Sequence, residues 1–299
     1  TVWGSLTIKL EEYLKMSNIR KVDSLLVMNA IKKMFLESSY VIGKDVYNSI
    51  SAAALDEDSL IAKEVLDQLL KNYDIAMEER IPICQDTGYA VVFVDIGQEV
   101  AVENGSLTNA IEEGVRQAYE EGFLRKSIVD DPIFERKNTN DNTPPVIHYN
   151  IVEGNKIDIM ITAKGFGSEN MSAIKMLSPS DGLEGVEKFV LETVKNAGPN
   201  PCPPIIIGIG VGGTMEKAAI MAKKATMREI NKYNENINYE NLEKELLVKI
   251  NELGIGPAGF GGKTTALAVN VDYYPTHIAG LPVAINISCH ASRHAHVIL

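Results

Sequence analysis

Three cysteines stand in settings that suit chemistry. Cys84 lies in Ile81–Gly88, which reads I-P-I-C-Q-D-T-G. An amide (Gln85), a carboxylate (Asp86), a hydroxyl (Thr87) and a glycine follow the thiol directly. Pro82 restrains the backbone before it, and Gly88 permits a turn after it. The segment reads as a rigid corner that presents a thiol and a carboxylate side by side. Cys202 lies in N-P-C-P-P, where the flanking prolines disfavour a helix or the middle of a strand. Cys289 lies in S-C-H-A-S-R-H-A-H. Four of the five histidines (His277, His290, His294 and His296) fall in the same last stretch of chain. Buried free cysteines are common, so these can be three unrelated core residues. They can equally be three ligands of one metal site. Three thiolates leave one corner of a cubane iron–sulfur cluster without a protein ligand. An iron with an open site is a Lewis acid that can bind a hydroxyl and a carboxylate. This is chemistry for removing water without net redox change, and Asp86 beside Cys84 is placed to handle a proton.

Two glycine-rich stretches invite a different reading. Gly208, Gly210 and Gly213 follow a strand and fit the dinucleotide fingerprint G-x-G-x-x-G. The acidic residue expected roughly 20 positions on should end a second strand. Here that region reads as a helix, Met215–Tyr233, with Glu229 inside it. Close strand-to-helix packing explains the glycines more simply. Gly254–Thr265 reads G-I-G-P-A-G-F-G-G-K-T-T and ends like a phosphate-binding loop. Pro257 stands where that motif needs its first glycine, and a helix precedes it where a strand is required.

The elements that must position these residues follow from hydrophobic spacing. Val22–Leu36, Lys44–Leu55 and Asp58–Met77 carry helical periodicity. In the last, Leu60, Ile61, Val65, Leu66, Leu69 and Leu70 share one side. Ala90–Ile96 reads as a buried strand, and Ser106 caps a helix running to Gly122. Leu124–Pro132 is a loop carrying Arg125, and Arg136–Pro145 is a polar, turn-rich loop of the solvated kind. Val146–Val152 and Lys156–Ala163 read as a hairpin across Glu153-Gly154-Asn155. Gly165–Ser172, G-F-G-S-E-N-M-S, leads into a helix through Leu177. Its N-terminal amides can attract a carboxylate or phosphate, or simply form an ordinary cap. A helix from Ser180-Asp181 runs to Ala197, a strand follows Cys202, and Tyr239–Leu253 is an amphipathic helix. Strands Thr265–Tyr273 and Leu281–Ile287 flank His277, and the second delivers Cys289. All three cysteines thus fall on stiff loops at strand ends.

A chain of 299 residues can bury a sizeable core. Its 45% apolar and 23% charged composition is that of a soluble globular protein. No apolar run approaches the roughly 20 residues needed to span a bilayer, which argues against a membrane partner. A net charge of -11 argues against nucleic acid, because phosphate binding needs basic patches. Three widely spaced cysteines without a secretory signal argue for a reducing cytoplasm and against a disulfide framework. Met16-Ser17-Asn18 resembles a natural start. We therefore expect residues 1–15 to be a leader or an expression remnant and residues 16–299 to form the working domain.

Several long motifs in one order resemble the iron–sulfur hydro-lyases. They are I-C-Q-D-T-G, G-S-E-N-M-S, the C-P-P strand with G-I-G-V-G-G-T, G-I-G-P-A-G-F-G-G-K-T, and T-H-I-A-G-L-P-V with C-H-A-S-R-H. That family comprises class I fumarases and L(+)-tartrate dehydratases, and the chain resembles a separate alpha subunit from about Val22 to its end. The resemblance implies that Cys84, Cys202 and Cys289 hold a [4Fe-4S] cluster. It implies that Gln85, Asp86, Arg125 and Gly167 bind a small dicarboxylate substrate, with Asp86 catalytic, and that His277 is an active-site histidine. A beta subunit is expected to supply the family's remaining basic residues. His290 departs from the pattern, since many relatives have tryptophan after the cysteine. G-S-E-N-M-S resembles fumarase alpha subunits more than tartrate dehydratases, which favours reversible hydration of fumarate to malate over dehydration of L(+)-tartrate. A nucleotide-binding regulator using the glycine loops, and a scaffold with three inert thiols, are the alternatives of other classes. The expected fold is one α/β domain: an N-terminal helical layer, then mixed sheets flanked by helices, with the cluster at the strand ends.

Overall fold

The computed structural model describes residues 19–299, so the expected leader, residues 1–15, lies outside them. A short strand β1 (Arg20–Asp23) opens the described chain. Helix α1 (Ser24–Tyr40) is capped by Asp23, whose side chain accepts from the Leu25 amide. Helices α2 (Lys44–Asp56) and α3 (Leu60–Glu79) complete the helical layer. In α3 the buried face is Ala62, Leu66, Tyr73 and Ala76. Leu60 and Ile61, expected on that face, are exposed instead.

Two four-stranded sheets follow. The first is ordered β4–β2–β5–β10, built from β2 (Tyr89–Gly97), β4 (Val146–Val152), β5 (Ile157–Lys164) and β10 (His294–Ile298). Helix α1 and α4 (Leu107–Glu121) cover one face of it around Phe35, Ile111, Tyr119, Ile159 and Ile161. A small strand β3 (Val100–Glu103) pairs with β1. The second sheet is ordered β8–β7–β9–β6, from β6 (Ala173–Leu177), β7 (Ile205–Gly212), β8 (Ala266–Tyr274) and β9 (Leu281–Ser288). Helices α6 (Gly182–Ala197) and α8 (Ile237–Asn251) cover its outer face. Helix α7 (Met215–Ala225) lies on the other face, and Ile220 with Met227 just beyond it packs against Val91, Phe93 and Met160 of the first sheet. A four-residue helix α5 (Phe166–Glu169) links β5 to β6. Among the described residues no helix is long and apolar enough to cross a membrane.

The expected helical layer and mixed sheets are present, with three local corrections. β4 and β5 do not form a hairpin: β2 lies between them, parallel to β4 and antiparallel to β5. The turn at Glu153–Asn155 wraps the end of β2, where the Gln98 amide donates to Val152 O at 2.8 Å and the Glu99 amide to Gly154 O at 3.0 Å. Second, residues 173–177 form an edge strand paired with β9 instead of extending a helix. Third, α7 ends at Ala225, so Glu229 lies beyond it. The fingerprint glycines behave as the simpler explanation requires. A side chain at Gly208 or Gly210 would collide with the carbonyls of Ala222 or Ala218, so their bareness lets α7 lie against β7.

Candidate functional site

The three cysteine loops meet where the two sheets abut. The Cys84 loop is fixed from the helical layer: the Ile83 amide donates to Ser39 O at 2.9 Å, and Asn72 Nδ2 donates to Ile83 O at 2.9 Å. After the thiol the chain turns at Gly88, whose φ of +85° suits glycine. A Cβ there would lie 2.6 Å from the Ala163 carbonyl carbon. Tyr119, fully buried, donates its hydroxyl to Gly88 O at 2.8 Å. Thr87 Oγ1 donates to Arg125 O at 3.0 Å. Asn142, expected in a solvated loop, is fully buried; it donates to Gly88 O at 3.3 Å and accepts from the Ser127 amide at 2.8 Å.

Cys202 is exposed and holds a left-handed φ of +55°, a conformation that disfavours a side chain. Such strain persists only where the surroundings enforce it, and it concentrates at functional sites. Here the Cys202 amide donates to Pro199 O at 3.0 Å and the Ala258 amide to Pro203 O at 2.9 Å. Gly259 abuts Pro199 so closely that a Cβ could not fit. The G-P-A-G-F-G-G-K-T stretch is therefore a buttress. Lys263 donates to Asp56 O at 2.6 Å and lies 2.9 Å from the Asp58 carboxylate, which ties the stretch to the helical layer. Cys289 follows β9, and the next amide, His290 N, donates to Cys202 O at 3.5 Å. His290 shares a 2.7 Å hydrogen bond with the Tyr73 hydroxyl. Its ring packs at 6.0 Å from that of Tyr73.

Electrostatics ties the three loops together. Burial, and then the negative charge of Cys289 and Cys84, push the Cys202 thiol up. No three His, Cys, Asp or Glu side chains among the described residues converge closely enough to hold a single metal ion. Three thiols on adjoining loops are a donor set that would suit a polynuclear cluster.

Asp86 is held from both sides. Its Oδ1 accepts from the Gly88 amide at 3.0 Å and its Oδ2 from the Phe166 amide at 2.9 Å. The N-terminus of α5 does attract a carboxylate, and it is the chain's own. Arg293 is buried and donates to Asp86 O at 2.6 Å. Gln85, Arg125 and Gly167 are exposed around this corner. A Cβ at Gly167 would meet only Asn200 O, at 3.6 Å, so no neighbour in the chain demands glycine there.

His277 is not brought to the thiols. It lies on the exposed turn between β8 and β9, with its Nδ1 accepting from the Ala279 amide at 3.2 Å. β9 runs the whole way from that turn to Cys289. Seven residue steps at about 3.3 Å separate the ends of this strand by roughly 23 Å. The sequence reading also missed Arg293, Lys164, Asn142 and Tyr73. Arg293 could have been found inside C-H-A-S-R-H as the one cation beside the last cysteine. The others had no local signal, since each is recruited from a distant element.

A family model described as fumarate hydratase (Fumerase) matches residues 28–298. The chain belongs to the fumarate hydratase (Fumerase) family. Among its relatives, "Putative L(+)-tartrate dehydratase subunit alpha" of Methanocaldococcus jannaschii is 44% identical over 90% of this chain and 96% of its own length. The L(+)-tartrate dehydratase subunit alpha of Escherichia coli strain UTI89 is 32% identical over 83% of this chain and 82% of its own. The Fumerase match spans all three cysteine loops as well as Asp86 and Arg293.

Proposed function

We propose that this chain is the cluster-bearing alpha subunit of an iron–sulfur hydro-lyase that reversibly hydrates fumarate to L-malate in the cytoplasm. The observation that supports the reading is the corner beside Cys84 where a carboxylate is held by two backbone amides, with the Cys202 and Cys289 loops joined to each other by the hydrogen bond from His290 N to Cys202 O. Cys84, Cys202 and Cys289 would hold the [4Fe-4S] cluster. When bound, it supplies a Lewis-acidic iron for the substrate hydroxyl. The amides of Gly88 and Phe166 orient the Asp86 carboxylate. The free lone pairs of its carboxylate can then accept a proton from the substrate carbon. Gly167 lets a substrate carboxylate approach the backbone, and Gln85 and Arg125 offer polar contacts at the rim. A dicarboxylate needs cations at both ends, and the exposed part of the corner has one arginine. A beta subunit is therefore part of the proposal, as the relatives' designation as alpha subunits supports. Those names also favour a second substrate, L(+)-tartrate.

The test is anaerobic co-expression with a beta-type chain from the same source, cluster reconstitution, and assays on fumarate, malate and L-tartrate side by side. A brown protein with about four irons per chain and preference for fumarate is the expected result. Preference for tartrate would transfer the assignment. A colourless, inactive complex would overturn it.

A further inference from the structure

A buried charged node lies beneath residues 164–172, and the proposed chemistry does not use it. Lys164 ends β5 with its side chain 2% exposed. Its Nζ donates to Ser168 Oγ at 2.8 Å and Gly165 O at 3.3 Å, and lies 3.4 Å from Glu169 Oε2. The other Glu169 oxygen binds Lys223 from α7. Asn286, three residues before Cys289 on β9, donates to Glu169 Oε2 at 2.9 Å and Ser172 Oγ at 3.1 Å. Two ammonium groups thus share one carboxylate. Beside them Arg293 is buried as well, its Nε without a partner and its guanidinium on a backbone carbonyl. Against Lys164, Lys223 and Arg293 stand Glu169 and Asp86, which leaves one positive charge in excess. An uncompensated buried charge is strongly unfavourable, so this surplus calls for an anion nearby. Burial pulls the Lys164 ammonium down to about 8, against the opposing pull of Glu169 and then of a Cys289 thiolate.

We propose that the Lys164–Glu169–Lys223 node is the built-in counter-charge of the thiol site and sets the electrostatic potential of the anionic centre held there. The inference rests on the cluster reading above. A cubane core with three thiolates is a net anion, and one-electron reduction makes it more negative. A buried cation therefore favours the reduced form, as net charge does generally in iron–sulfur sites. Lys164 is a positioning residue in this scheme; it touches the loop that carries Gly167 and contacts no substrate.

The experiment compares wild type, K164M and E169Q, each as the reconstituted complex, in redox titrations followed by electron paramagnetic resonance. K164M removes the cation and is expected to lower the midpoint potential. E169Q removes the anion and is expected to raise it. The reduced-to-oxidised ratio at a fixed potential should change about tenfold in opposite directions, about 59 mV for a one-electron couple. A loosened site would move both variants the same way, so shifts of one sign, or none, overturn the inference. K223M supplies the cation-deletion arm if K164M fails to fold. A wild-type complex that binds no cluster overturns the proposed function and this inference together. Unshifted potentials in clustered proteins overturn this inference alone.

Discussion

His277 can act on substrate only in a site its own thiols do not form. The turn that carries it stands a strand length, roughly 23 Å, from Cys289, whereas a proton donor must come within about 3 Å of its target. If the role implied by the family resemblance is right, His277 serves the corner of a second alpha chain. The perturbation is a pair of variants, H277A and D86N, each expected to be inactive alone while retaining the cluster spectrum. Mixed and allowed to exchange, half the two-chain assemblies contain one of each. In such a pair one site combines intact Asp86 with intact His277, and the other combines both lesions. Closed two-fold exchange therefore restores about a quarter of wild-type turnover. The assay is fumarate formation from malate, followed by ultraviolet absorbance after anaerobic co-reconstitution with the beta subunit. Inactive mixtures whose exchange has been verified would refute the shared site. Full activity of H277A alone would show that the histidine is not catalytic.

Three further outcomes follow from the geometry. C202S should lose iron and activity together while keeping its helical circular dichroism, because Cys202 stands exposed on a loop braced by its neighbours. G88A should destabilise the chain by about 2 kcal/mol or more in urea titration, from left-handed strain plus the backbone contact with Ala163. Burial alone would raise the Asp141 carboxyl, but the Thr143 amide and hydroxyl and Arg116 bring it down to about 2. Its contribution is thus complete above its unfolded pKa near 4 and is lost as pH falls toward 2. D141N should cost on the order of 1 kcal/mol at neutral pH after screening and flatten acid unfolding across that window.

Much of the helical layer and most strands were legible because their periodicity is strong and local. The Ser106 cap and the strand read at Ala90–Ile96 needed no tertiary information. Failures came where pairing is decided at a distance. Val146–Val152 and Ile157–Lys164 look like hairpin partners, yet β2 offers each a better neighbour and takes the position between them. Residues 173–177 read as helix because nothing local announces the edge of β9. In the site, Cys84, Cys202 and Asp86 were visible through proline, glycine and turn chemistry. Lys164 was not: nothing local marks a lysine at the end of an apolar strand as buried, and its partners Ser168 and Glu169 are brought to it by the turn that follows.

The two sheets repeat one pattern, which explains why the cysteine loops come to one seam. β2, β4 and β5 pair as β7, β8 and β9 do, one parallel contact and one antiparallel. Each half then lends its fourth strand to the other: β6 joins the second sheet and β10 the first. The exchange draws four loops to one seam, those before β2 and β7 and those after β5 and β9. Cys84 and Cys202 occupy the first two, and Cys289 directly follows β9. The matching position after β5 is Gly165. Its φ is an ordinary -68°, and a Cβ there would meet only Asp86 and Arg293, at 3.4 and 3.5 Å. The fold thus has room for a fourth thiol and carries bare backbone instead, beside the exposed Gly167. On the proposed reading we expect G165C to fold and to retain iron, because the position has room for a thiol. On the same reading turnover should vanish, because that thiol would occupy the side proposed for substrate. Iron content and malate dehydration measured on the same anaerobic preparation decide it: G165C with full iron and wild-type turnover would show that substrate does not enter through the thiol-free loop.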